Sequence, residues 1–122
     1  MANDYSRRPN TNGYQTRIQR RINLGEDLLG SLTQPSNAIE DLTERDTNVA
    51  KWLSQNREAV HLIYEDRSIA ASLPTATNLD LNDLSHQDII ERLIEIVSKQ
   101  ITVLRELVEE TRVWDGMARV PA

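Results

Sequence analysis

The fold of this chain is decided by residues 85–114, which read SHQDIIERLIEIVSKQITVLRELVEETRVW. With Ile90 placed at heptad position a, the a and d positions are apolar except for one glutamine. These six positions hold Ile90, Leu93, Val97, Gln100, Leu104 and Leu107. The flanking e and g positions are apolar too, so the arc is wider than one coiled-coil partner would cover. The stretch therefore predicts the central helix of a helical bundle.

Apolar residues return at helical spacing in other parts of the chain as well. Together they predict an all-α, small up-and-down bundle of three long helices, at about 14–33, 37–65 and 86–114, plus a short helical turn near 68–73. Ser36 or Asn37 is expected to cap the second helix, which we expect to continue past Asp46 with a local irregularity. Ser85 is expected to cap the central one. Asp115-Gly116 predicts the end of the central helix near Trp114.

The length of 122 residues suits one domain. We expect a mobile basic arm over residues 1–12, the bundle over 13–116 and a C-terminal tail over 117–122. Cysteine is absent, which excludes disulfides and thiolate metal sites. No apolar run suggests a signal peptide or a membrane span, so the expected location is cytoplasmic.

Charge is distributed unevenly along the chain. The net charge is −5, yet the first 21 residues contain five arginines against the single acid Asp4. These possible anion contacts are Arg7, Arg8, Arg17, Arg20 and Arg21. A basic arm of this kind supports an alternative reading as a small nucleic-acid-associated or regulatory protein.

The sequence contains no recognisable catalytic or ligand-binding motif. Its two histidines, His61 and His86, are far apart, and His61 reads as a partly exposed helix residue. Adjacent acids such as Glu109-Glu110 diverge on a helix, so they do not converge on a metal ion. The sequence therefore predicts a protein that is not an enzyme and has no cofactor and no metal site.

Several single residues give expectations about packing. Gly25 and Gly30 weaken the first helix or mark places where helices approach closely. Trp52 shares a face with apolar neighbours and should anchor the core. Asn56 lies on that face too, either buried with a partner or, as we expect, at the wet edge of the core. The loop before the central helix should be pinned to the bundle by Leu79, Leu81 and Leu84.

A longer pattern carries a family resemblance. It consists of Gly25-x-x-Leu28-Leu29, then Trp52-x-x-x-Asn56-x-x-x-Val60-x-x-Ile63-Tyr64-Glu65-Asp66 with Ser68, and a late helix rich in Leu and Ile. This pattern resembles the helical domain at the N-terminus of some bacterial antiviral-defence proteins, which often precedes a nucleotide-binding or TIR-like effector domain. The resemblance implies a helical adaptor or oligomerisation module, with the activity in another domain or chain.

The expected function is a non-enzymatic helical protein-interaction or oligomerisation module, such as an accessory subunit of a larger bacterial complex. Its expected interface is the set of six a and d residues of the central helix, through which it would form a homodimer or a hetero-complex. Gln100, the only polar residue of the set, is expected to fix the register of that association.

Overall fold

The computed structural model describes residues 13–64 and 67–118, without the side chains of residues 14, 15, 67 and 111–118. This part of the chain is an all-α bundle, which confirms the predicted fold class. Its helices are α1 (Tyr14–Leu32), α2 (Ile39–Ile63), α3 (Arg67–Ala71) and α4 (His86–Ala118). The predicted mobile arm, with Arg7 and Arg8, lies outside the described residues.

Helix α4 begins as predicted and ends later than predicted. The hydroxyl of Ser85 accepts a hydrogen bond from the backbone N–H of Asp88 at 3.1 Å, which is the expected N-cap. The predicted stop at Asp115-Gly116 is wrong, because the helix continues to Ala118. A helix tolerates an internal glycine at a cost of about 1 kcal/mol, so Gly116 alone does not end it.

Helix α2 starts without the side-chain cap that the sequence suggested. Its N-cap is Ala38, and the Ser36 hydroxyl accepts the backbone N–H of Ala38 at 3.3 Å, outside the helix. The predicted cap by Ser36 or Asn37 is therefore wrong.

The helix passes through Asp46 without a break, and the Thr77 hydroxyl donates to the Asp46 carboxylate at 2.5 Å. The loop thus provides a partner for a polar side chain that interrupts the apolar stripe.

Helices α1 and α2 pack closely against each other at Gly25. A Cβ atom on Gly25 would collide with the Trp52 ring, whereas one on Gly30 would meet no atom from the rest of the described chain within 4 Å. The expected close approach is confirmed at Gly25 and not at Gly30. Trp52 is only 4% exposed, so it anchors the core as predicted.

Helix α4 packs most extensively against α1 and also contacts α2. Leu79, Leu81 and Leu84 are partly buried against the same core, which confirms that they pin the loop. The g positions of α4 become less covered along the helix: Ile89 is fully buried, Ile96 is partly buried and Val103 is 37% exposed. The apolar arc of α4 is therefore closed by its own chain except along this edge.

Candidate functional site

The predicted interface residues of α4 lie inside a single chain. All six are buried, from 0% exposure at Leu93, Val97 and Leu104 to 8% at Leu107. The five apolar ones belong to one core with residues of the other helices, so another chain could reach them only if the bundle opened. In the closed bundle, the accessible surface therefore comes from residues other than these five.

The predicted anion contacts separate into two groups. Arg17 and Arg20 are exposed on α1. Arg21 instead points its guanidinium at α2, where Nε donates to Asn56 Oδ1 at 2.7 Å and Nη2 donates to Gln55 Oε1 at 3.2 Å. The sequence analysis grouped Arg21 with the other N-terminal arginines. Its hydrogen-bond partners lie more than 30 residues away, so no local pattern indicated them.

Arg21 and Trp52 exchange hydrogen bonds in both directions between α1 and α2. Arg21 Nη2 also donates to the Trp52 carbonyl at 3.4 Å, and Trp52 Nε1 donates back to the Arg21 carbonyl at 3.0 Å. Burial lowers the pKa of the Arg21 guanidinium. Asn56 is fully buried beside it, so the expectation that Asn56 lies at a wet edge is wrong. The guanidinium supplies a charged donor to the Asn56 Oδ1, whereas the Asn56 Nδ2 is buried with no hydrogen-bond partner among the described residues. This cluster holds the two helices together.

The open edge of α4 borders a groove. Its walls are the turn after α3 and one face of α4, with a volume of about 310 Å³. We call this concavity the α3–α4 groove; its main lining residues are Leu73, Pro74, Ile96, Lys99, Gln100 and Val103. The walls are mostly apolar, with three polar residues, Ser72, Lys99 and Gln100. A concave apolar surface with a few polar groups is the usual form of a binding site.

The α3 side of the groove is fixed by Arg57 from α2. Its Nε donates to the Leu73 carbonyl at 2.9 Å, and its Nη2 donates to the carbonyls of Ala71 and Leu73, the former at 3.0 Å. These carbonyls lie at the end of α3, where the helix provides no partners of its own. No sequence pattern pointed to this groove, because the arginine that shapes it lies 16 residues from Leu73.

Gln100 forms part of the groove wall and has one unpaired polar atom. The residue is 3% exposed, and its Oε1 is buried with no hydrogen-bond donor among the described residues. Lys99, the neighbouring residue at the rim, is exposed and pairs with Glu95 at 2.9 Å. The groove therefore combines apolar walls with a positive charge at its edge, whereas the Oε1 of Gln100 is buried away from solvent.

A second, more polar concavity lies between α2 and α3. Ser54, Glu58 and His61 follow one face of α2 there, with Ala70 and Ala71 opposite. Ser54 and Glu58 are exposed and His61 is partly exposed, which confirms the expectation for His61. The Arg57 guanidinium at this site already binds backbone carbonyls. This region is a solvated helix face with less apolar surface than the α3–α4 groove offers.

Comparisons with known proteins identify no family for this chain. No family model matches the chain, and neither curated proteins nor solved structures give a match. The resemblance to helical domains of antiviral-defence proteins therefore stays a prediction.

Metal-binding clusters and membrane spans are both absent from the described part of the chain. It has no group of three or more His, Asp or Glu side chains arranged to hold a metal ion. None of its helices combines the length and the apolar character that a bilayer-spanning segment requires.

Proposed function

We propose that this chain is a non-enzymatic helical interaction module that binds a segment of another protein in the α3–α4 groove. The observation that carries the proposal is the open edge of α4. Val103 is 37% exposed beside Ile96, while the a and d positions of the helix are buried in the core. Apolar side chains at the edge of a shaped groove gain free energy when a partner removes them from water.

The shape of the groove favours a different protein over a second copy. A symmetric dimer uses the same patch on both subunits, so a two-fold axis at this place would set one concavity against another. Both grooves would then stay unfilled. A side chain projecting from another protein fills the concavity and covers Val103 at the same time. A role as an accessory subunit of a larger bacterial complex agrees with what the family resemblance implies.

The experiment is site-specific photo-crosslinking in the cells that make the protein. Benzoylphenylalanine replaces Val103 in the groove or, as a matched control, Leu62, which is 50% exposed on α2 and outside the groove. We expect a discrete adduct from position 103 that is absent from position 62. The captured protein is then purified and mixed with the Val103→Glu and Leu62→Glu variants.

Binding should be lost in Val103→Glu, because a carboxylate would have to be desolvated in the apolar groove. Binding should be retained in Leu62→Glu. The same adducts from both positions, or binding that survives Val103→Glu, would overturn the proposal. An adduct between two copies of this chain, with a dimer that Val103→Glu abolishes, would replace the partner protein by a second copy.

A further inference from the structure

The arginines in the first half of α1 have no acidic partner among the described residues, although the net charge of the chain is −5. The described ion pairs join other groups, namely Arg45 with Asp41, Lys99 with Glu95, and Arg105 with Glu26. Arg17, Arg20 and Arg21 therefore place three positive charges on one stretch of helix. Like charges four residues apart repel each other on a helix surface, and an anion bound between them would remove that repulsion.

The guanidinium of Arg21 is fixed on one side and open on the other. Nε and Nη2 donate to three neutral acceptors on α2, which are Asn56 Oδ1, the Trp52 carbonyl and Gln55 Oε1. Nη1 takes part in none of these bonds, and it is not one of the described side-chain atoms that are buried without a partner. Since Arg21 is partly exposed, its Nη1 is open to solvent while the other contacts hold its orientation.

Two further donors lie beside this open edge. Arg17 is exposed one turn before Arg21 on the same line of α1. Helical side chains lean toward the N-terminus of their helix, so the Arg21 guanidinium leans toward the turn that carries Arg17. Gln55 is exposed on α2, and because its Oε1 accepts from Arg21, its Nε2 remains as a donor.

We propose that Arg17, Arg21 and Gln55 form a site for a phosphate group that carries two negative charges. Two guanidinium groups match a dianion in charge, and the planar N–H fork of arginine fits phosphate oxygens. None of the three residues lines the α3–α4 groove, so the site adds a small anionic ligand to the proposed function and does not depend on it.

NMR titrations of the full chain at constant ionic strength test the site. The probes are inorganic phosphate at a pH where it is a dianion, glycerol phosphate, and the monoanion dimethyl phosphate. We expect saturable shifts of the Arg21 Nε–H and Gln55 amide signals with both dianions, and roughly tenfold weaker binding of dimethyl phosphate. Tighter binding of glycerol phosphate would identify the ligand as a phosphate ester, and tighter binding of inorganic phosphate would identify it as the free ion.

Arg17→Gln and Arg20→Gln are a matched pair, because each removes one exposed positive charge from α1. Arg17→Gln should weaken phosphate binding roughly three- to tenfold. Arg20→Gln should weaken it less than about twofold, because this side chain leaves the helix in another direction. Gln55→Glu should abolish binding, since its carboxylate would take the place of the ligand beside Arg21.

Four results would each overturn the inference. Shifts that do not saturate would exclude a defined site, and equal weakening by the two arginine variants would show a general charge effect. Dimethyl phosphate that binds as tightly as the dianions would remove the selectivity for two charges. Full binding in Gln55→Glu would place the anion elsewhere.

Discussion

Gly25→Ala should destabilise the protein, although alanine is the better helix former. In an ordinary helix interior the change would stabilise by about 1 kcal/mol. At Gly25 the new Cβ would overlap the Trp52 ring. Inserting a methyl group into a packed core costs about 1–3 kcal/mol. The ring cannot shift freely, because Trp52 Nε1 is hydrogen-bonded to the Arg21 carbonyl at 3.0 Å.

The overpacking cost and the strain on the hydrogen bond to the Arg21 carbonyl together exceed the gain in helix propensity. We therefore expect the free energy of unfolding to fall by about 1–2 kcal/mol. In a chain of this size each kcal/mol moves the melting temperature by about 4 °C. Gly30→Ala in the same helix is the matched control, because a Cβ atom there would contact no neighbouring element within the described residues. It should raise stability by about 0.5–1 kcal/mol.

Urea and thermal unfolding followed by circular dichroism would measure both variants. In a Trp52→Leu background the smaller side chain removes the collision, so Gly25→Ala should become neutral or stabilising there. A Gly25→Ala protein as stable as Gly30→Ala in the wild-type background would refute the close packing of α1 on α2.

Three further predictions concern single side chains. Trp52→Ala should lower the free energy of unfolding by about 3–5 kcal/mol in urea titrations, because the indole is buried; unchanged stability would argue against a core role. Gln100→Met should raise stability by about 1 kcal/mol, since it removes a buried unpaired acceptor, and a less stable variant would show that the amide is paired. Burial raises the pKa of Glu110, and a weaker opposing effect comes from the Tyr64 hydroxyl at 3.4 Å. The folded state therefore holds the proton more tightly, so stability should fall as pH rises from the ordinary carboxyl pKa through the raised one. Glu110→Gln should lack this step in melting curves recorded across that range, and a step of equal size in the variant would assign it to another group.

The sequence was most informative about α4. Its heptad pattern correctly marked Leu93, Val97 and Leu104 as buried, because periodicity reports directly which helix face avoids water. It could not say whether that face meets its own chain or another. The width of the apolar arc suggested a second copy, yet α1, α2 and the pinned loop cover most of it.

Features that depend on distant partners were missed. Arg21 looked like one more arginine of a basic arm, and only the approach of α2 brings its guanidinium to Asn56 at 2.7 Å. The α3–α4 groove likewise depends on Arg57 reaching the Leu73 carbonyl at 2.9 Å. Local signals were also incomplete, since Gly116 was read as a stop and lies within the helix. The contacts of Arg21 and Arg57 join residues that are far apart in the chain, so a single sequence shows no pattern that predicts them.

A single chain buries the a and d seam of α4 and leaves the edge at Val103 open to the groove. Light scattering on the purified protein at micromolar concentration tests this arrangement. We expect the mass of a single chain, 13.9 kDa, for the wild type and for Val103→Glu alike. A mass of two chains that persists in Val103→Glu would contradict this arrangement. The second copy would then contact a surface other than the groove, and the a and d residues of α4 would be the first candidates.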